Sequence, residues 1–463
     1  MLTQRRKPRL LAGALGLGLG ALAGAATLLL FSGGASARPQ SGRAVPALDA
    51  THLPPLLTLP GEQVKLRYDV YCVGADDPTA GCDAGGIVYI RPGQSGPYRV
   101  VPLQRDQAAA TGRLVASVPA DIAASSSGFS YYAVLQDNAS GATTTLPTSG
   151  AQAPQISLPM GDAVVNVNLG EHAFGATRQP DARLVSVAWG DGPARVGLEA
   201  NGPEEAPIGA SSFDVDAAGT VTVLDEAHRR ALRWAPSLLG QIGRPPTAVP
   251  LALNGTLADL SVGQDGTLYV LESSDTASAG PVLRTFDAVG TLRSTVAITD
   301  RTASEVRVGA DGPAVLESPS AQWVTVGGIG VQGGSGQSVS SARPSSDGSQ
   351  VTVLRTGDEL RVSVLSSAGR RSWRITSGTP LAEVQLAQAL GKKLVVVVRV
   401  YSDSQDEFVA LVLGANGVVR QYALAPNDWA ETAPVSKFRL VGSSLYQLGS
   451  NTDGAFVDRF ELG

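Results

Sequence analysis

Gln264-Asp265-Gly266-Thr-Leu-Tyr-Val-Leu-Glu272 is a turn ending in glycine, an apolar run of strand character and a closing charge. The phrase recurs as Asp216-Ala-Ala-Gly219-Thr-Val-Thr-Val-Leu-Asp225, Ala310-Asp311-Gly312-Pro-Ala-Val-Leu-Glu317 and Ser346-Asp347-Gly348-Ser-Gln-Val-Thr-Val-Leu-Arg355. Looser copies start at Gly391 (through Arg399) and Gly442 (through Leu448). Successive glycines are 47, 46, 36, 43 and 51 residues apart, about the length of one four-stranded unit in a radial repeat. A second glycine follows in three copies, at Gly290, Gly369 and Gly417, 24, 21 and 26 residues after Gly266, Gly348 and Gly391. Each unit therefore reads as two hairpins, with glycine where the turn calls for positive φ.

The spacing predicts a β-propeller over residues 165–463, about 300 residues, which at about 45 per blade is six blades, with seven allowed by length. The segment 182–199 precedes the first full copy and is expected to lend a strand to the short last blade, closing the ring and protecting its edges. The copy Asp225-Glu-Ala-His228-Arg-Arg230-Ala-Leu-Arg-Trp234 resembles an NHL repeat, in which a strand ends in Asp, passes an Asn-like position and an Arg, and enters a strand closing on an aromatic residue. The other copies keep the strand and turn grammar without the Arg, so the resemblance is to NHL-like or TolB-like propellers in general.

From 56 to 158 the strands are shorter and differently spaced: 64–72, 86–91, 98–103, 112–118, 128–135 and 142–147. They predict a β-sandwich resembling immunoglobulin or fibronectin type III domains. The alternation Phe129, Tyr131, Ala133, Leu135 supplies one core face, and Leu66, Tyr68, Val70, Cys72 its partner. Cys72 and Cys82 are the two cysteines of the chain, and a lone pair this close in an exported protein reads as a loop-clamping disulfide. Residues 38–55 read as a Pro-bearing linker. The whole chain is thus all-β, a sandwich followed by a propeller.

Arg5, Arg6, Lys7 and Arg9 precede an uncharged stretch from Leu10 to Phe31 and the A-x-A-like Ala35-Ser36-Ala37. Residues 1–37 are a signal peptide or an N-terminal membrane anchor; at about 33 Å as a helix, the stretch also spans a bilayer. Either way the chain is expected to be extracytoplasmic, secreted or anchored. Without those four basic residues the net charge falls from -5 to -9 (-5 - 4), which offers nothing to nucleic-acid phosphates.

The chain has three histidines, His52, His172 and His228, and neither a G-x-S-x-G elbow nor a Walker loop. The sharpest chemical candidate is the strand-end charge of five copies: Asp225, Glu272, Glu317, Arg355 and Arg399. In one layer of a ring, the three acids would bind Ca²⁺ or another divalent cation, as acids do around the axis of lactonase-like propellers. Alternatively they are rim charges that pair with neighbouring blades, and no cofactor is needed. Trp189, Trp234, Trp323 and Trp373 read as packing between blades. The leading expectation is a non-enzymatic recognition or scaffold protein whose propeller loop face binds a protein, peptide or glycan. The alternatives are a metal-dependent hydrolase or lyase acting at the axis, and an accessory subunit of a cell-envelope assembly.

Overall fold

The computed structural model describes residues 47–73, 83–109, 112–161, 163–199, 207–241, 244–273, 280–298, 303–317, 321–326, 339–345, 347–430 and 437–463. The N-terminal segment 1–37 and Cys82, and with it the Cys72–Cys82 pairing, lie outside them. No described helix is long and apolar enough to cross a membrane.

Two sheets make the sandwich. One has the order Ala47–His52, Lys65–Val73, Leu114–Ser117, Gln104–Arg105; the other runs Leu57–Thr58, Gln155–Pro159, Phe129–Asp137, Ala84–Pro92, Arg99–Pro102, with Thr143–Leu146 added on Phe129–Asp137. Period-two alternation puts Leu66, Tyr68 and Val70 of one sheet and Phe129, Tyr131, Ala133 and Leu135 of the other into a single core. The two runs face each other across that core and are not hydrogen-bonded neighbours. The strand Ala47–His52 falls in the stretch read as linker and pairs with Lys65–Val73, because Leu48 and Ala50 complete the same apolar face. His52 ends it with its ring against Tyr68 (centroids 4.3 Å apart). Its Nδ1 lies 2.7 Å from the Arg67 carbonyl and so must donate, which leaves Nε2 to accept from the Tyr131 hydroxyl at 2.7 Å. Burial pushes the His52 pKa down to about 4, the carbonyl contact opposing only part of that.

Beyond the sandwich the described residues form six four-stranded sheets. The first comprises Ser212–Val215, Val221–Asp225, Arg230–Trp234 and Thr247–Pro250. The second comprises Thr256–Val262, Leu268–Ser273, Val282–Phe286 and Leu292–Ala297, and the third Ala303–Gly309, Gly312–Glu317, Gln322–Thr325 and Val339–Ser340. The fifth runs Leu381–Leu390, Lys393–Tyr401, Asp406–Gly414, Gly417–Leu424. The repeat glycines Gly219, Gly266, Gly312, Gly348, Gly391 and Gly442 all have positive φ, 56–106°, in turns that few other residues accommodate.

The other two sheets borrow strands from the start of the propeller segment. Ala182–Ala188 pairs antiparallel with Gly454–Glu461, completing the sixth sheet of Phe438–Val441, Ser444–Ser450 and Gly454–Glu461, as the sequence led us to expect. The fourth sheet holds a second insertion that was not expected. Val164–Asn168 runs parallel to Gly369–Thr376, outside Glu359–Ser366 and Gln350–Thr356. At the free edge of Gln350–Thr356, Arg343 bridges Val351 and takes the innermost position. First strands lie side by side around an axis: Ser212–Val215 against Thr256–Val262, that against Ala303–Gly309, and Phe438–Val441 against both Leu381–Leu390 and Ser212–Val215. This is a closed β-propeller.

Sandwich and propeller share a small buried cluster of Leu56, Leu57, Met160 and Leu354. Around it Arg361 donates to both carboxylate oxygens of Glu62 (2.5 and 2.9 Å) and to the Leu57 carbonyl (3.0 Å). Ser372 Oγ donates to the Met160 carbonyl at 2.6 Å and Arg370 to that of Pro159 at 3.1 Å. The joint is packed.

Candidate recognition face and axial ion cluster

Asp225 and Glu317 end the second strand of their sheets, Glu272 and Arg399 stand one and two residues before the end of theirs, and Arg355 stands one before the end of Gln350–Thr356, the edge strand of the fourth; all five lie toward one face of the propeller, each with local partners. Asp225, fully buried, accepts from Gly197 N at 3.0 Å, His228 Nδ1 at 2.8 Å and Arg230 Nε at 2.8 Å. Glu272 is taken by Arg284 and by the backbone N–H groups of Asn254 and Gly255. Arg399 donates to Asp406 at 2.8 Å and Arg355 to the Leu381 carbonyl at 3.1 Å, while Glu317 stands opposite Gln322. No two of the five are bonded to each other in these contacts. Among the described residues no group of three His, Cys, Asp or Glu side chains is arranged to hold a metal ion.

The trio at Asp225 positions a loop. Arg230 Nη2 donates to the carbonyls of Gly192 (2.7 Å) and Arg195 (2.6 Å), and His228 Nε2 lies 3.1 Å from Asp191. The Asp225 hydrogen bond outweighs partial burial and holds the His228 pKa above its ordinary value. The 190–195 loop so fixed carries Trp189 at its root, whose indole donates to the Asn451 carbonyl at 2.8 Å.

Trp234, Trp323 and Trp373 are buried as expected (4%, 5% and 0% exposed). Trp189 is half-buried and packs at 6.0 Å, tilted 33°, on the ring of Trp429, which is 39% exposed. Trp189 lies between the sixth and first sheets and Trp429 between the fifth and sixth, both in outer-to-inner connections that emerge on the face of the strand-end charges. Tyr401, 45% exposed, closes the second strand of the fifth sheet on that face. Beside them Lys437 is buried, its Nζ 6.0 Å from the centre of the Phe408 ring. Burial pushes its pKa down to about 8; Asp428 and Asp406 oppose that shift and Arg399 adds to it. Sequence reasoning missed Tyr401, Trp429 and Lys437 because a single aromatic or lysine in an irregular connection has no periodicity to mark it.

It also missed a buried ion cluster on the axis. Ser212 and Asp214, Asp259 and Ser261, and Glu305 and Arg307 are i, i+2 pairs on three adjacent first strands. Ser212 Oγ accepts from Leu260 N (3.2 Å) and Asp214 from Val262 N (2.7 Å); Asp259 accepts from Val306 N (2.8 Å) and Ser261 Oγ from Val308 N (3.2 Å). The innermost strands of the second and third sheets thus have N–H groups satisfied by side chains of the strand before them, as a buried sheet edge requires. Charges balance across the cluster: Arg307 meets Asp259 and Glu305 at 2.7 Å each, Arg343 meets Glu305 at 3.1 Å, and Arg439 meets Asp214 at 3.3 Å and Asp259 at 3.6 Å. Burial pushes the Arg439 pKa down to about 10, so it stays charged at neutral pH. For Arg307 burial works in the same direction, but Asp259, Glu305 and Asp214 together hold its pKa above the ordinary value. The available signal was the repeat of these pairs: Ser212 and Asp259, and Asp214 and Ser261, are 47 residues apart.

No family model matches this sequence, and no curated protein matches it. Solved structures give weak likenesses to propeller proteins. Virginiamycin B lyase from Staphylococcus aureus is 10% identical with a TM-score of 0.31, over 54% of this chain and 94% of that one. AztD from Citrobacter koseri is 12% identical with a TM-score of 0.26, over 88% and 89%. YCF48 from Cyanidioschyzon merolae is 13% identical with a TM-score of 0.27, over 56% and 98%. At such scores these likenesses carry no argument about what this chain binds or catalyses, and the propeller rests on its own sheets.

Proposed function

We propose that this is an exported recognition or scaffold protein, not an enzyme, whose propeller loop face binds a glycan or peptide at Trp189, Tyr401 and Trp429. The observation that carries the reading is the Trp189–Trp429 pair, one ring open to solvent and the other fixed through its indole N–H. Aromatic faces held in place offer apolar area and CH–π contact at little cost in side-chain entropy. The strand-end acids support it from the other side. A cation at Asp225 or Glu272 would have to displace arginine and backbone donors already bound there, which disfavours axial metal chemistry. The sandwich, of the immunoglobulin-like kind in this reading, serves as the arm that carries the propeller from the cell surface.

The test is tryptophan fluorescence on titration with soluble cell-wall glycan fragments and with a peptide library, for the wild type and for Trp429→Ala/Tyr401→Ala. Binding by the wild type, weakened at least tenfold in the variant at unchanged melting temperature, is the expected result. Equal affinity in both would remove the loop face from consideration.

A further inference from the structure

A second surface lies at the far edge of the sandwich. The sheet containing Lys65–Val73 turns Leu66 and Tyr68 inward, and the alternation therefore turns Lys65 and Arg67 outward, where both are exposed. With Arg105, Val101 and Val115 they line a trough of about 430 Å³. Asp106 is the only acid in its lining. Among the described residues the Lys65 and Arg67 side chains have no ion-pair partner. Two unpaired cations beside a third stand out on a chain whose net charge without residues 1–37 is -9 (-5 - 4).

The trough's position suggests its occupant. The propeller packs against the Leu57–Thr58 edge of the sandwich, whereas the trough lies at the opposite edge, where Arg99–Pro102 leads into Gln104–Arg105. No described part of the propeller covers it. The chain enters the same sheet at Ala47, three strands from Gln104–Arg105, or about 14 Å at ordinary strand spacing. Residues 32–46 separate that entry from the apolar segment ending at Phe31 and span at most about 50 Å. A tether of that length lets the trough reach any bilayer that holds the segment.

We propose that this basic trough seats the sandwich on the anionic headgroups of the membrane from which the chain emerges. This goes beyond the loop-face reading and does not rest on it. The cations would face lipid phosphates.

The experiment is co-sedimentation of the chain from residue 38 onward, which keeps every described residue, with vesicles of phosphatidylglycerol or of phosphatidylcholine. Each basic residue at an anionic surface is worth about fivefold in partitioning, so Lys65→Gln/Arg67→Gln should bind phosphatidylglycerol vesicles roughly 10- to 30-fold more weakly. The charge-preserving Lys65→Arg/Arg67→Lys should bind like wild type, which separates loss of charge from loss of fold. Binding should weaken at high salt and survive millimolar inorganic phosphate. Equal binding to the neutral vesicles, no binding to either, or full competition by inorganic phosphate, the mark of a soluble-anion pocket, would each overturn the proposal.

Discussion

Asp259→Asn is the substitution that tests how the propeller ring is held. Asp259 is 2% exposed and accepts from Ser212 Oγ at 2.8 Å, Val306 N at 2.8 Å and Arg307 at 2.7 Å, with Arg439 at 3.6 Å. Asparagine keeps the volume but exchanges one acceptor for a donor, and every neighbour of that carboxylate is itself a donor. Three carboxylates balance three guanidinium groups in the wild type, so the variant also leaves one positive charge buried without compensation. Removing one partner from a buried ion pair costs about 3–5 kcal/mol. At roughly 2 °C per kcal/mol for a domain of this size, the propeller melting temperature should fall by about 6–10 °C. Differential scanning calorimetry reads this directly, with Arg293→Gln as control, since that change breaks only the exposed pair with Asp287. A fall of less than about 2 °C, or one no larger than the control's, would refute the claim that the axial side chains stitch the ring.

Three further outcomes follow from the geometry. His52 has its folded pKa depressed to about 4, so the stability it contributes is complete above its ordinary value near 6.5 and is lost as pH falls from there toward 4. The loss amounts to about 3 kcal/mol, and an NMR titration placing His52 near 6.5 would contradict it. Asp225→Asn should release Arg230 from its carboxylate and loosen the 190–195 loop, so that trypsin cuts after Arg195 several-fold faster than in the wild type; unchanged cleavage would show that the loop is held by other contacts. Glu62→Gln removes the charge facing Arg361 across the joint, at a cost of about 1.5–3 kcal/mol, and should separate sandwich and propeller unfolding into two calorimetric transitions. A single transition at the wild-type temperature would mean that the apolar cluster alone couples the domains.

What the sequence discloses here depends on periodicity. The six repeat glycines, from Gly219 to Gly442, recur because each turn between first and second strands imposes the same backbone demand, and the sheets follow from them. The Phe129–Leu135 alternation likewise gives a core face directly. Ala47–His52 was missed because its apolar positions are few and lie just before Pro54 and Pro55, where composition reads as linker. Val164–Asn168 was missed for a different reason: its partner Gly369–Thr376 is about 200 residues away, and nothing local specifies a parallel pairing of that range. What sequence cannot give is the partner of each strand-end charge, since Arg284, Arg230 and Asp406 are set by cross-strand register, and register exists only after the sheets have formed.

The placement of the sandwich bears on which part of the loop face is usable. Its contacts with the propeller fall on the third and fourth sheets, through Leu354, Arg361, Ala321 and Gln322. In a ring of six sheets closed on itself, the side opposite that boundary is where the sixth sheet meets the first. Trp189 emerges there, with Trp429 packed on it from the neighbouring connection and Tyr401 on the fifth sheet beyond. The aromatic residues thus occupy the part of the face that the sandwich leaves clear. Because Val164–Asn168 is both the continuation of the sandwich chain and the outer strand of the fourth sheet, swinging the sandwich toward that part would require pulling a paired strand from the propeller. The joint that holds the sandwich in place therefore also keeps the aromatic face open.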